Sequence, residues 1–243
     1  MMELKGKNVL ITGAAVRVGR AMAKAVAEAG ADLLIHYRSS QEEAQSLKNE
    51  IEALGRKAHL LKADLSHSQE CSSLIRRALE LGPIFGLVNS AAIFENRNLE
   101  NTDLQSWQRH LDVNLTAPFL LSQAFWQAAQ KEKGEGRIVN ILDWRALRPG
   151  PDHLPYTISK AALAALTQSL AAAMAPNITV NGIAFGAVLP PSDGGDTKNI
   201  LKNVLLGRWA DLEEVGTTLV FLLSGPNYIT GEIIYLDGGR HLV

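Results

Sequence analysis

The chain has 243 residues, 47% of them hydrophobic and 20% charged, with a formal net charge of −1; this is an ordinary globular composition whose length fits one large α/β domain about as well as two small ones, and the charge balance argues against nucleic acid or an anionic membrane as partner. A single cysteine, Cys71 in the helix-like QECSSLIRRALEL, excludes an intrachain disulfide and suits a reducing compartment, with the thiol expected buried and neutral. No apolar run nears the ~20 residues of a membrane span, and MMELKGKNVLITG has no signal-peptide pattern, so a cytoplasmic location is expected.

Strand-like and helix-like segments alternate along the chain. NVLIT reads as a first strand and GRAMAKAVAEAG as a helix stopped at Gly30. DLLIHY, KAHLLKA and IFGLVNSAA read as the next strands, separated by the helices QEEAQSLKNEIEALG and SQECSSLIRRALEL. A long helical region from about Asp103 to Gln130 carries Pro118, which predicts a break or kink. RIVNIL is a fifth strand, Tyr156–Met174 a helix ended by Pro176, and ITVNGIA a sixth strand. LPPSDGGDTKN is Gly/Pro-rich and polar, predicting a mobile loop over about 189–206. DLEEVGTTLVFLLS is a last helix and GEIIYLDGG a seventh strand. With no repeat and no composition shift, the pattern predicts one domain over 1–243: a seven-stranded, mostly parallel sheet with helices on both faces.

Between the first strand and first helix lies Thr12-Gly13-Ala14-Ala15-Val16-Arg17-Val18-Gly19. Glycines in such a turn let backbone approach a pyrophosphate, and the helix N-terminus offers free N–H groups to it. That places Gly13, Arg17, Val18 and Gly19 at a dinucleotide, against the plainer reading of a simple glycine-containing turn. An acid at the end of the second strand usually holds an unphosphorylated ribose. Here His36-Tyr37-Arg38-Ser39-Ser40 supplies a cation and hydroxyls instead, so His36, Arg38, Ser39 and Ser40 predict NADP(H) rather than NAD(H).

Tyr156 and Lys160 stand four apart in a helical run, on one face and one turn from each other. A cation there favours the ionised form of a Tyr hydroxyl, which ordinarily titrates near about 10, so the pair could exchange a proton at neutral pH. Thirteen residues before the Tyr, the strand RIVNIL runs into Asp143.

TGAAVRVG (12–19), Asp64-Leu65, NSAA (89–92), Asn114, the Tyr156–Lys160 pair, VNGIA (180–184) and ITGEIIYLDGG (229–239) together resemble a short-chain dehydrogenase/reductase over nearly the whole chain. The resemblance implies a single-domain Rossmann fold, doubly wound, with NAD(P)-dependent hydride transfer. It implies Asp64 and Leu65 near the adenine, Asn89 near the cofactor ribose beside Ser90 and Ala91, and Gly186 and Val188 at the nicotinamide. It also implies Tyr156 as proton donor, Lys160 orienting the ribose and lowering the Tyr pKa, Asn114 holding a relay water, no metal, and a homotetramer or homodimer.

Several positions depart from the common pattern. Arg17 stands where glycine is usual and Asp143 where serine is usual; Phe185 and Pro190 replace a proline and a threonine beside the nicotinamide. Arg17, Phe94 in NSAAIF, Asp143 and the HYRSS run resemble the pteridine reductase branch. That branch implies a flat pteridine (dihydrobiopterin, dihydromonapterin or dihydrofolate) between the nicotinamide and Phe94, touched by Arg17, Asp143 and Tyr156. Two other functions are weighed: a 3-oxoacyl-thioester or other carbonyl reductase, which would want a hydroxyl at 143, and a non-catalytic NADP(H)-sensing protein, which would be expected to lose Tyr156 or Lys160.

Overall fold

The structure is a computed structural model that describes residues 3–132, 134–190 and 197–243. Among them, seven strands form one sheet: β1 (Asn8–Ile11), β2 (Asp32–Tyr37), β3 (Ala58–Lys62), β4 (Ile84–Asn89), β5 (Gly136–Asp143), β6 (Ile178–Phe185) and β7 (Ile233–Leu236). Their order is β3-β2-β1-β4-β5-β6-β7. Every neighbouring pair is parallel, so the sheet expected to be mostly parallel is parallel throughout.

Strand side chains alternate between two buried layers, which is why these strands read as near-continuous apolar runs. Val9 and Ile11 enter one core and Leu10 the other; Leu33 and Ile35 likewise oppose Leu34. The first core is closed by α1 (Arg17–Glu28), α2 (Gln41–Ala53) and α8 (Leu212–Ser224), through Met22, Leu47 and Leu219. The second is closed by α3 (Ser68–Glu80), α5 (Ala117–Glu132) and α6 (Leu154–Met174), through Leu74, Phe125 and Leu170. Cys71 lies in this second core, and burial pushes its thiol up to about 11, as expected of a neutral group.

The strand order reverses between β1 and β4, and the crevice at such a switch point opens beyond the strands' carboxyl ends. The residues that follow the strands, from Gly13 and Arg38 to Ser90, Asp143 and Gly186, therefore converge on one place.

Three expectations are refined. The long helical region is α4 (Leu104–Leu111), a π-helical turn (Asp112–Thr116) and then α5. Pro118 has no N–H for the α-helical bond to the Asn114 carbonyl, and the wider turn falls just ahead of it. Helix α6 starts two residues earlier than expected, with Pro155 in its first turn, where the missing N–H costs nothing. Of the loop expected over 189–206, residues 191–196 lie outside the described residues. Beyond them Thr197–Lys202 is helical (α7), Val204 is buried, and the Leu206 N–H donates to the Gly238 carbonyl at 3.1 Å.

Candidate active site

A cleft of about 920 Å³ opens at the switch point. Its inner wall is the turn after β1. Gly13 has φ +66°, and a Cβ there would come within 3.0 Å of the Ala91 Cα, so the β1 and β4 turns touch backbone to backbone. Thr12 links them: its hydroxyl accepts from Ser90 N–H at 2.9 Å and Ala91 N–H at 3.0 Å. Arg17 takes φ 51°, a left-handed conformation in which glycine is at home, and donates to the Pro190 carbonyl at 2.9 Å across the cleft. Val16, the N-cap of α1, supplies no side-chain cap, so the N–H groups of the first turn have no side-chain acceptor.

His36 borders the cleft but serves the protein rather than a phosphate. Its Nδ1 accepts from Gly13 N–H at 3.1 Å, and its Nε2 donates to the Ala63 carbonyl at 3.1 Å. With both nitrogens engaged, none is left for the cofactor phosphate expected there. Burial pushes the imidazole down to about 4. The folded state thus resists a proton that the unfolded chain accepts near about 6.5. The stabilisation is present above that pH and lost as pH falls toward about 4, an effect of up to about 3 kcal/mol. Urea denaturation of the wild type should lose stability across this window. His36→Leu should flatten the dependence, and an unchanged slope in the variant would remove His36 as its source.

At the cleft's far end, Arg38 and Ser39 are exposed and Ser40 half-buried. The Arg38 guanidinium has no hydrogen bond among the described residues. Asp64 is braced by Ser66, accepting from its N–H at 2.9 Å and its hydroxyl at 2.7 Å, with Leu65 beside it. Gly186 and Val188 line the opposite wall, with Gly186 N–H donating to the Leu236 carbonyl at 3.0 Å. Phe185 keeps β6 paired up to its last residue, opposite Asp143, which a proline would interrupt.

Two expected residues lie off the cleft lining. Asn89 is buried and donates to Asn140 Oδ1 at 2.8 Å and Ser122 Oγ at 3.3 Å, tying β4 to β5 and α5. The Asn114 amide is spent on the protein: Nδ2 donates to the Ile93 carbonyl and Ser159 Oγ, both at 3.0 Å, and Oδ1 accepts from Ile93 N–H at 2.9 Å. Its side chain therefore fixes the turn after β4 against α6.

Where β5 ends, Tyr156 Oη donates to Asp143 Oδ2 at 3.2 Å. Asp143 Oδ1 accepts from Arg145 N–H at 2.9 Å, so the acid caps the short helical turn of 144–146 and meets the phenol at once. Lys160 Nζ donates to the Ile141 carbonyl at 2.6 Å and lies 5.8 Å from the Tyr156 ring centre. Burial, then the Asp143 charge and hydrogen bond, hold the phenol well above its usual range, while burial pushes the lysine down to about 8. This corrects the expectation that Lys160 lowers the Tyr pKa: in this environment the carboxylate and burial dominate, and Tyr156 is a neutral phenol.

Phe94 is 54% exposed and meets the Tyr156 ring edge-on, centres 4.6 Å apart and planes at 81°. Against it stacks His153, at 4.0 Å and 16°, anchored by its Nδ1 to the Glu95 carbonyl at 2.9 Å. Sequence reasoning missed His153, Trp144, Arg145 and Arg240, all on the cleft wall. Only their closeness to Asp143, Tyr156 or the last turn hinted at them.

Residues 13–241 match the family model described as enoyl-(acyl carrier protein) reductase, a short-chain dehydrogenase/reductase model. The chain belongs to the short-chain dehydrogenase/reductase family. Among solved members, an alternative dihydrofolate reductase (FolM) of Brucella canis, complexed with NADP, is 36% identical, covers 99% of this chain and 96% of its own, and superposes with a TM-score of 0.91. Among curated members, 2-dehydro-3-deoxy-D-gluconate 5-dehydrogenase of Bacillus subtilis is 35% identical over 246 residues, 98% of this chain and 95% of its own. The 3-oxoacyl-[acyl-carrier-protein] reductase of Synechocystis sp. is 32% identical over 244 residues, 98% of each. Members of this family bind a nicotinamide cofactor. The uncapped α1 N-terminus, the glycine turn and the unpaired Arg38 fit such a dinucleotide.

Proposed function

We propose that this oxidoreductase reduces a pteridine, of the dihydrobiopterin, dihydromonapterin or dihydrofolate type, with NADPH. The observation that carries the reading is the contact of Tyr156 Oη with Asp143 Oδ2 beside the Phe94 ring. NADPH, when bound, supplies the hydride to the carbon of a C=N bond. The nitrogen of that bond then needs a proton. Tyr156 is built to give one, since burial and Asp143 keep the phenol protonated. An alcohol dehydrogenase working in the oxidative direction needs the opposite, a phenolate ready to accept. The Asp143 carboxylate, which accepts one hydrogen bond at each oxygen, from Arg145 N–H and Tyr156 Oη, keeps lone pairs for the N–H edge of a flat heterocycle, and Phe94 offers it a partly exposed ring face. A ketone carbonyl has no N–H for that carboxylate, so the 3-oxoacyl-thioester reading, which the Synechocystis relative favours, leaves Asp143 without a substrate partner. A non-catalytic sensor has no need of the Tyr156 and Lys160 placed here. Arg38, Ser39 and Ser40, free of any carboxylate at the end of β2, support NADPH over NADH.

NADPH oxidation with dihydropteridines and with an acetoacetyl thioester tests the reading. We expect turnover of the pteridine, and Asp143→Ala to lower its kcat/KM by roughly 10–150-fold, the loss of one hydrogen bond to a charged group. Turnover of the thioester alone sinks it.

A further inference from the structure

Arg240, on the cleft wall beside Trp144, has no counter-charge among the described residues. Arg240 follows the last strand, and its guanidinium lies over the Trp144 indole, 4.4 Å from the ring centre. Arg145 also lies over that indole, at 4.9 Å. The neighbouring carboxylates are all engaged. Asp143 meets Tyr156 and Arg145, and Asp152 accepts from Arg145 at 3.0 Å. Asp237 accepts from the N–H groups of Gly239 and His241 and lies 2.8 Å from His241 Nδ1. Arg240 has no ion pair among the described residues, and its Nε is buried without a hydrogen-bond partner. Burial, and then the Arg145 charge, lower its pKa, as befits a cation held against another cation.

The position is built rather than incidental. The Asp237 carboxylate ties the final turn together, and the His241 ring stacks on Tyr235 at 3.9 Å and 18°. Leu206 N–H, donating to the Gly238 carbonyl, joins that turn to the segment after α7. A partly buried guanidinium with a free, desolvated N–H is unfavourable unless something anionic completes it. It fronts the same cleft as Tyr156 and Asp143.

We propose that Arg240 is a specificity-determining residue that pairs with a carboxylate on the substrate, on the portion remote from the reacting bond. Resting on the pteridine reading, this selects a pteridine with an acidic side chain over one with a neutral hydroxylated side chain. Arg145, whose Nε is likewise buried without a hydrogen-bond partner, already pairs with Asp143 and Asp152, so Arg240 makes the contact.

The test compares dihydrofolate with dihydrobiopterin in the full-length NADPH-loaded enzyme. In Arg240→Gln the ratio of kcat/KM values, acidic over neutral, should fall at least tenfold, chiefly through KM for dihydrofolate. Arg240→Lys should restore part of that ratio, and added salt should lower it in the wild type. Calorimetric titration with folate should show the same weakening without turnover. A fall by one common factor for both substrates, or no change in the ratio, overturns the proposal. If the wild type reduces neither pteridine, the pteridine reading itself has failed. Arg240 is then judged with an oxo-acid against its methyl ester, and an ester handled as well as the acid in both proteins overturns it.

Discussion

Tyr156→Phe should lower kcat by roughly 10²–10⁴-fold, the usual contribution of a positioned proton donor, while leaving the NADPH dissociation constant within about threefold. Removing the hydroxyl deletes the atom that Asp143 accepts from at 3.2 Å but not the ring that Phe94 contacts edge-on, so the packing survives. The two readouts are separable: stopped-flow single turnover reports the chemical step, and NADPH fluorescence reports binding. A variant that keeps more than about a tenth of the wild-type single-turnover rate would falsify the assignment of Tyr156 as donor and would point to solvent or Asp143.

The electrostatic setting gives this prediction its direction. Asp143 raises the phenol's hold on its proton, and the Lys160 ammonium is turned to the Ile141 carbonyl at 2.6 Å. Lysine one helical turn away was the plain sequence expectation for an acidified tyrosine. The expectation fails because proximity along a helix does not say which group the ammonium will satisfy. A buried cation seeks the nearest strong acceptor, and the end of β5 supplies a backbone carbonyl.

Other residues divide along the same line. Strand and helix order could be read in advance, because burial on both faces of a parallel sheet imposes apolar runs broken by glycine and proline. Gly13, Gly19, Arg38 and Asp143 could be placed because their positions relative to strand ends are fixed by topology. What could not be read was where a side-chain amide or imidazole turns. His36 and Asn114 sit where a ligand contact was expected, yet their polar atoms are taken by Gly13 and Ala63 and by Ile93 and Ser159, while Asn89 turns its amide N–H groups to Asn140 and Ser122. Arg240 shows the converse. Its role depends on which acids near it are already paired, and that depends on the turn formed by Asp237 and His241.

Gly19→Ala should be the most damaging single methyl group in the chain's cofactor turn. A Cβ at this position would lie 2.1 Å from the Gly13 carbonyl oxygen, 3.0 Å from its carbon and 3.2 Å from the Ala14 Cα. All three are backbone atoms, so no rotamer change relieves the contact. Backing Gly13 away is obstructed too, since it already lies against Ala91 and its N–H is held by His36. The strain must be released by opening the turn between β1 and α1, which withdraws the N–H groups meant for the pyrophosphate. NADPH affinity should fall at least a hundredfold, about 2.7 kcal/mol, with a stability loss of roughly 1–3 kcal/mol, as overpacking produces. Gly134→Ala is the matched control, because a Cβ there meets nothing within 4 Å. Fluorescence titration and urea midpoints on both variants decide the matter. If Gly19→Ala binds NADPH as tightly as Gly134→Ala does, the turn yields where the geometry says it cannot, and the phosphate site must be sought elsewhere on the cleft wall.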